Sequence, residues 1–346
     1  MSFINSVFGS LQLSLLIFCS IILLCSIGIY FYRIIAVHKG IVANPNFRSL
    51  HETPIPRGGG IVFATIFVFC VFVLWEYDVL AYELLMIIGV GGLGTALFGF
   101  FDDIYNIRAS RKLIMQIIFS VWAFYWINQY SIFPSENFLF FITMPVTIIF
   151  LVWTINAYNF IDGIDGMAIS GAFYICASLT LIMLLTDGKS DLAIIFFLLM
   201  ASVSAFIFFN WPPASILMGD SGSIFLGYLF GTFIIITFIQ NEISLWTWII
   251  IFSYFFADTT VTLLARLILV KKWYGAHRSH AYQNLARIMN SHLKVTFGVV
   301  VYHIIWSLPL SLWTIFQPEM APLAAIVSVF PAFILVYRYG PLLSSS

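Results

Sequence analysis

Charged residues are scarce in this sequence. Asp, Glu, Lys and Arg make up 9% of its 346 residues, whereas an ordinary soluble domain carries about 25%. Hydrophobic residues account for 62%, and the formal net charge is zero. This composition excludes a soluble domain and predicts an all-α polytopic membrane protein. We find no internal repeat, no low-complexity segment and no soluble domain, so residues 1–346 are interpreted as one membrane-embedded domain.

Cysteine is also rare, and a nucleotide-binding phosphate loop is missing. The four cysteines fall inside apolar runs without metal-ligand spacing, so we interpret them as small core residues. The third apolar run is rich in glycine but lacks the Gly-Lys-Ser/Thr that a phosphate-binding loop requires. Its glycines instead predict close helix packing. They are Gly89, Gly91, Gly92, Gly94 and Gly99.

Apolar runs long enough to cross a bilayer, roughly 17 to 25 residues, predict eleven transmembrane helices. The number is ten if one of the last two runs, which prolines interrupt, does not cross. They cover residues 7–32, 59–75, 81–101, 112–128, 138–155, 167–186, 191–209, 223–240, 245–270, 295–315 and 320–337. This threading puts every Lys and Arg except Lys189 on one side. The positive-inside rule makes that side cytoplasmic, with a periplasmic N-terminus. The cytoplasmic acids, apart from Glu52, lie in motif-like settings, so we expect the active site on the cytoplasmic face.

The third span ends in two adjacent carboxylates, Asp102 and Asp103. Such neighbours repel, and a divalent cation or a shared proton relieves the repulsion. Their hard oxygen atoms suit magnesium or manganese, although a solvated helix end is the alternative interpretation. Lys112 follows at the start of the next span, where it either binds a lipid phosphate or extends to the headgroup region.

The stretch at 156–166 is the most informative in the chain. It reads Asn-Ala-Tyr-Asn-Phe-Ile-Asp-Gly-Ile-Asp-Gly between long apolar runs. Asn156 and Asn159 are three residues apart, as are Asp162 and Asp165, so each pair shares one face of a helical turn. A structural turn explains the glycines but not four polar side chains at a repeated spacing. Acids at a membrane edge indicate a functional site.

Two further carboxylates have competing interpretations. Asp220 lies in Met-Gly-Asp-Ser-Gly-Ser (218–223), before a span whose N-terminal amides attract anions. The alternative is a helix N-cap by Asp220 or Ser221. Asp258 lies inside the ninth span, where a catalytic role and an ion pair with Arg266 both stay open.

Two loops are suited to phosphate. In the first, Arg57 precedes a glycine triplet whose unshielded amides would approach a phosphate closely. In the last, His277, Arg278 and His280 suit pyrophosphate better than zinc, because no further ligand set accompanies them. For both loops, the alternative is a basic segment resting on anionic lipid headgroups.

Taken together, these motifs resemble the polyprenyl-phosphate N-acetylhexosamine-1-phosphate transferases. The motifs are Pro-Arg-Gly-Gly-Gly (56–60), Asp-Asp-x-x-Asn (102–106), Asn-x-x-Asn-x-x-Asp-Gly-x-Asp-Gly (156–166), Met-Gly-Asp-Ser-Gly-Ser (218–223) and His-x-x-His (277–280). The pentapeptide translocases of that superfamily carry a run of consecutive histidines in the last loop, which this chain lacks. It is more similar to the branch that initiates O-antigen synthesis, so a direct role in peptidoglycan synthesis is not expected.

The resemblance implies a reaction and a set of roles. Undecaprenyl phosphate would attack the β-phosphorus of a UDP-linked N-acetylhexosamine or 6-deoxy amino sugar and release UMP. The cofactor would be magnesium, with manganese as an alternative, and the location the bacterial inner membrane. The implied metal ligands are Asn159 and Asp220. The implied catalytic residues are Asp102, Asp103, Asp162 and Asp165, the last two also shaping the nucleotide pocket. The implied substrate-binding residues are Arg57, Lys112, Asn156, His277, Arg278 and His280.

Other functions are weighed against this one. A secondary transporter for an anionic solute would have broken helices at mid-bilayer and often internal repeats, whereas the acids here gather at one surface. A CDP-alcohol phosphotransferase would need an arginine after the Asp-Gly pair at 162–163, which is absent. A homodimer stays open, and no nucleic-acid partner is expected.

Overall fold

The computed structural model describes residues 2–43, 53–131, 138–186, 191–269 and 279–340. The helices are α1 (Ser2–Gly9), α2 (Leu11–Lys39), α3 (Gly60–Glu76), α4 (Tyr82–Tyr105), α5 (Ala109–Ser131), α6 (Phe138–Ile161), α7 (Met167–Leu185), α8 (Asp191–Asn210), α9 (Asp220–Ile239), α10 (Leu245–Ile251), α11 (Ser253–Leu269), α12 (Ala281–Met289), α13 (His292–Phe316) and α14 (Pro318–Tyr339). Strands β1 (Val42–Ala43) and β2 (Ile55–Pro56) pair antiparallel in the first loop. The predicted all-α class is confirmed.

Among the described residues, eight helices are long and apolar enough to cross a bilayer. Helices α10 and α11 make a ninth if they form one span, but they meet at 87°, as a broken span or a re-entrant loop would. Helix α3 is apolar but has 17 residues, at the lower limit for a crossing. Every predicted span coincides with a helix or with this bent pair. The number that cross, and the orientation, stay predictions.

Helices α8 and α9 form the centre of the bundle. In the most apolar part of each, 78% of the residues are buried inside the protein, against 17% in α2. Helix α2 therefore lies at the lipid-facing periphery, where apolar side chains need no protein partner. Cys25 and Cys176 are buried as predicted, but Cys19 is exposed, because it lies on the outer side of α2.

Glycines let α4 approach α9 closely. A side chain at Gly99 would overlap the backbone of Asp220, and one at Gly91 would overlap the hydroxyl of Tyr228. The prediction of close packing through small residues in this span is confirmed. The contact at Gly99 has a consequence for function, because it brings the end of α4, with its two acids, beside the first residue of α9.

The glycine triplet in the first loop does not present open amides. Gly59 N–H donates to the Leu217 carbonyl at 3.1 Å, and Gly60 N–H donates to the Met218 carbonyl at 3.0 Å. Our interpretation of the triplet as unshielded phosphate donors is therefore wrong for these two residues. Both amides donate hydrogen bonds to backbone carbonyls of the segment before α9. The triplet instead fixes the backbone that leads to Asp220.

Candidate active site

Four helix ends meet at one end of the bundle. Helix α4 supplies Asp102 and Asp103 near its C-terminus, and α5 supplies Lys112 from its first turns. Helix α6 supplies Asn159 near its C-terminus, and α9 begins with Asp220. Because each side chain comes from a helix terminus, the polar groups lie at the edge of the bundle while the apolar parts of the same helices pack its interior.

A lysine connects two of the carboxylates. The Lys112 ammonium donates to Asp220 Oδ2 at 2.8 Å and forms an ion pair with Asp102 Oδ2. The side chain of Lys112 is 31% exposed and that of Asp220 25%, whereas that of Asp102 is 4% exposed. Asp102 therefore fixes the ammonium from the buried side, and Lys112 and Asp220 face the open side, where a substrate can reach them.

Asn159 completes this group. Its amide Nδ2 donates to Asp220 Oδ1 at 3.0 Å and to Ser223 Oγ at 2.7 Å. We call Asp102, Lys112, Asn159 and Asp220 the lysine cluster. It joins residues that are up to 118 positions apart, from Asp102 to Asp220, into one continuous set of hydrogen bonds and ion pairs.

Asp103 has a different environment from Asp102. Its two carboxylate oxygens accept hydrogen bonds from the backbone amides of Asp220 (3.0 Å) and Ser221 (3.1 Å). These are orphan donors at the start of α9, so Asp103 caps that helix from a neighbouring one. The alternative in which Asp220 or Ser221 caps its own helix is wrong, because the N-cap residue is Gly219, without a side-chain cap. The backbone φ of Gly219 is 74°, and a side chain there would crowd the Asp103 carboxylate.

Asp162 lies in the loop after α6 and close to other acids. Burial, followed by the nearby carboxylates of Asp220, Asp103 and Asp165, raises its pKa from 3.8 to about 8. Several carboxylates thus lie close together at this end of the bundle. A cation bound among them would relieve their mutual repulsion.

Asp165, three residues after Asp162, connects backbone segments through its hydrogen bonds. Its Oδ2 accepts from the Ala214 amide at 3.0 Å, and its Oδ1 lies 3.3 Å from His292 Nδ1. The Thr296 hydroxyl donates to the Asp165 carbonyl at 2.7 Å. These contacts tie the loop after α6 to the segment before α9 and to α13. Only 3% of Asp165 is exposed, so its carboxylate is committed to the fold.

Two predicted substrate-binding side chains are engaged with protein groups. Arg57 donates to the Asp103 carbonyl and to Asn106 Oδ1, the latter at 2.9 Å, and so stabilises the C-terminus of α4. The amides of Asn156 and Gln116 exchange hydrogen bonds, at 2.7 and 3.3 Å. Both side chains are positioned to shape the site, and their role as direct substrate ligands stays a prediction.

The histidine motif is described only in part. His277 and Arg278 lie outside the described residues. His280 is 2% exposed and lies against the rings of Phe160 and Tyr282, each with a centroid distance of 5.7 Å. This environment holds the imidazole inside the protein beside the 156–166 stretch.

Comparison with known proteins identifies the chain's relatives. Residues 85–238 match glycosyl transferase family 4. A probable undecaprenyl-phosphate N-acetylglucosaminyl 1-phosphate transferase of Bacillus subtilis (strain 168) is 30% identical over 285 residues, which cover 79% of this chain and 77% of the relative. The chain belongs to glycosyl transferase family 4. The predicted superfamily is confirmed.

Two further relatives show the range of this family. The undecaprenyl-phosphate alpha-N-acetylglucosaminyl 1-phosphate transferase of Escherichia coli (strain K12) is 31% identical over 60% of this chain and 58% of its own length. A phospho-N-acetylmuramoyl-pentapeptide-transferase of Fervidobacterium nodosum is 32% identical over 55% of this chain and 61% of its own length. The chain thus spans about three fifths of these two relatives. The named relatives are transferases, so the transporter alternative has no support.

The donor set of this family 4 chain fits a magnesium ion shared with a substrate. No group of three or more His, Cys, Asp or Glu side chains within the described ranges is arranged to hold a metal ion. Magnesium, however, is usually bound by one or two carboxylates together with substrate phosphates and waters. Asp220 and Asn159 are in direct contact, and the Lys112 ammonium at Asp220 Oδ2 shows that this oxygen accommodates a cation.

An apolar cavity of about 230 Å³ lies between α6, α9 and the bent pair α10–α11. Its wall on α6 runs up to Tyr158 and Ile161, which are one and two residues from Asn159 in the sequence. Aromatic side chains from the bent pair line the opposite wall, among them Trp248, Phe252 and Phe256. The composition of this lining suits hydrocarbon.

Sequence reasoning missed several residues that support the site. Ser223 could have been found, since it ends the Met-Gly-Asp-Ser-Gly-Ser motif one helical turn after Asp220. His292 and Thr296, which contact Asp165, carry no sequence signal, because they lie in an ordinary helix start more than a hundred residues away.

Proposed function

We propose that this chain transfers a sugar 1-phosphate from a UDP-linked amino sugar to undecaprenyl phosphate, and releases UMP. The observation that carries the proposal is the lysine cluster in a family 4 chain. Phosphoryl transfer depends on positioning and on neutralising phosphate charge. A partly exposed ammonium, a partly exposed carboxylate and a neighbouring amide supply the groups that such a reaction requires at one point.

Bond changes at phosphorus define what the residues must do. An oxygen of the lipid phosphate forms a bond to the β-phosphorus of the donor, and the bond from that phosphorus to the bridging oxygen breaks. The bridging oxygen leaves with UMP. A phosphate monoester has a second pKa of about 6, so its oxygens are largely deprotonated at neutral pH. Asp102 is therefore needed less as a base than as the group that orients Lys112.

Asp220 and Asn159 would hold magnesium, with manganese as an alternative ion. When bound, the metal would neutralise charge on the donor's pyrophosphate. Lys112 is 31% exposed and reaches Asp220 from the open side, so a small rotation brings its ammonium to a substrate phosphate. Asp162, whose pKa is raised to about 8, would be largely protonated at neutral pH, and a neighbouring metal ion would favour its ionised form.

The apolar cavity would take the polyprenyl chain. Its wall includes residues that flank Asn159, and nearly all of its lining is aromatic or aliphatic. A lipid phosphate whose chain lies in this cavity would place its headgroup next to the lysine cluster. The bent pair α10–α11 shapes the cavity, since both helices contribute to its lining.

The donor and the pathway are the finer part of the proposal. We infer an N-acetylhexosamine or 6-deoxy amino sugar, and the names of the Bacillus subtilis and Escherichia coli relatives favour N-acetylglucosamine. The product would be the lipid-linked sugar that begins O-antigen or another cell-surface polysaccharide. The enzyme would act in the inner membrane of a bacterium, on its cytoplasmic face.

Release of UMP by purified protein tests this proposal. A panel of UDP-linked amino sugars is supplied in turn, with undecaprenyl phosphate and magnesium. We expect release with one donor, dependent on both lipid and metal. Folded protein that releases no UMP from any donor would overturn the proposed function, and release without lipid would indicate a hydrolase instead.

A further inference from the structure

A carboxylate outside the lysine cluster connects α11 to the loop that carries the second motif histidine. Asp258 lies on α11 and is 1% exposed. Its Oδ1 accepts a hydrogen bond from the Ala281 amide at 2.9 Å. Its Oδ2 lies 3.7 Å from Nδ1 of His280. Ala281 is the first residue of α12, so this carboxylate holds the start of the helix by a hydrogen bond. It faces the imidazole of His280 at ion-pair distance, which is longer than a hydrogen bond.

The imidazole in turn contacts the 156–166 stretch. The imidazole of His280 contacts the rings of both Phe160 and Tyr282, and the Tyr282 hydroxyl donates to the Phe160 carbonyl. A side chain at Gly163 would overlap this hydroxyl, which shows how closely the two segments pack. Phe160 directly follows Asn159 and precedes Asp162 by two residues. The contacts therefore run from Asp258 to the backbone that carries both residues.

A role in helix stability alone does not account for this arrangement. Within α11, Asp258 Oδ1 also accepts a weaker hydrogen bond from Thr262, at 3.4 Å. The shorter bond goes to a segment 23 residues away in the sequence. Arg266, the other residue expected to pair with Asp258, donates to Ser279 at 3.3 Å. Two polar residues of α11 thus hold the same short segment, 279–281, against the membrane domain.

We propose that Asp258 is a positioning residue for the transferase site. It holds His280 and the start of α12 against Phe160, and thereby fixes Asn159 and Asp162 relative to Asp220. This inference rests on the proposed function, because the reaction supplies its readout. Asp258 touches no substrate in this account, and it acts through His280 and Tyr282.

The test measures UMP release per folded molecule for Asp258→Asn, His280→Gln and the double variant. Asparagine keeps the size of the side chain but loses the charge that faces the imidazole. A displacement of catalytic groups by about 1 Å lowers the rate by about 100-fold, and we expect a loss in kcat of this order for Asp258→Asn. The KM for undecaprenyl phosphate should stay near the wild-type value. Asp258→Glu should recover part of the rate.

The double variant shows whether Asp258 acts on the site through His280. Independent losses multiply, whereas losses through one shared contact do not. We expect the double variant to be no slower than the slower single variant. Thr262→Val is the matched control, because Thr262 donates to the same carboxylate oxygen from within α11, and it should keep wild-type kcat. If Asp258→Asn does not fold, Tyr282→Phe removes the hydroxyl that donates to Phe160 and should show the same loss in kcat.

The outcomes separate this inference from the proposed function. Wild-type protein that releases no UMP would overturn the proposed function. Active wild type with normal kcat in Asp258→Asn would overturn the inference alone. A lower melting temperature with normal kcat per folded molecule would assign Asp258 a purely structural role, and multiplied losses in the double variant would exclude action through His280. Either result contradicts the proposal.

Discussion

Asp102 and Asp103 are neighbours in the sequence, yet they belong to two different parts of the site. Asp102 pairs with the Lys112 ammonium and accepts the nearby Ile107 amide at 2.6 Å, whereas both carboxylate oxygens of Asp103 accept backbone amides of a different helix, α9. The same contrast separates the lysine cluster from a second group, Asp103, Asp165 and Asp258, which we call the backbone carboxylates. Each member of the second group is at least 96% buried and accepts a hydrogen bond from a main-chain amide at least 23 residues away in the sequence.

The partner of a buried acid thus indicates its role. A carboxylate bonded to main-chain amides of a distant segment cannot move without separating two parts of the fold, so it serves as a fixed anchor. A carboxylate that faces a flexible, partly exposed ammonium can exchange that partner for a metal ion or a phosphate. We therefore expect changes in the lysine cluster to affect the rate, and changes in Asp103 and Asp165 to affect stability first. Asp258 also faces the imidazole of His280, so its loss should lower the rate as well.

The largest effect is expected for Asp220→Asn. The substitution removes the charge that pairs with Lys112 and would bind the metal, while the side-chain shape and the contact with Asn159 can persist. Loss of one group that stabilises transition-state charge costs about 100- to 1,000-fold in kcat, and we expect the upper end. UMP release and thermal unfolding are measured on the same preparation. If Asp220→Asn kept the wild-type kcat, the assignment of Asp220 as a metal ligand would be wrong.

A smaller effect is expected for Lys112→Met, which keeps the aliphatic stem and removes the ammonium. We expect kcat to fall by about 100-fold, as for loss of one electrostatic group, and Lys112→Arg to retain part of the activity. Asp102 and Asp220 would then repel each other, so magnesium should raise the melting temperature more than in wild type. Arg111→Met is the matched control, because Arg111 is the exposed neighbour on the same helix. A loss of rate in the control equal to that in Lys112→Met would point to general surface charge.

Asp165→Asn should act mainly on stability. Asparagine has one acceptor oxygen, so if that oxygen turns towards His292 the Ala214 amide is left unsatisfied. If it turns towards Ala214, an uncharged NH2 group replaces the carboxylate oxygen that faces His292. A buried polar group left unsatisfied costs about 1 to 3 kcal/mol, and we expect a lower melting temperature with kcat per folded molecule within about tenfold of wild type. Thermal unfolding followed by UMP release from the folded fraction checks this. An unchanged melting temperature with a large loss in kcat would contradict this prediction. It would indicate that Asp165 acts in the reaction, as the lysine cluster does.

The sequence predicts the helical segments well, because apolar runs of crossing length have few alternative structures. Glycine spacing likewise predicts the close packing of α4, which Gly91 and Gly99 confirm. The site is predicted only as a set of residues on one face. Which acids belong to the lysine cluster and which are backbone carboxylates depends on the rotation of each helix about its axis and on partners distant in the chain. Asp102 and Asp103 differ by about 100° around α4, and no local pattern shows which one faces Lys112. The contact between His292 and Asp165 could not be predicted either, because the two residues are far apart in the sequence.

The most direct test of the account compares Asp102→Asn with Asp103→Asn. Each variant removes one charge from adjacent positions, and for each we measure UMP release per folded molecule and the melting temperature. We predict that Asp102→Asn loses more kcat, because Lys112 is no longer oriented, while its melting temperature stays nearer to wild type. Asp103→Asn should lose more stability, since loss of a helix cap costs about 0.5 to 2 kcal/mol. The reverse order, with Asp103→Asn slower and Asp102→Asn less stable, would contradict the division between the lysine cluster and the backbone carboxylates.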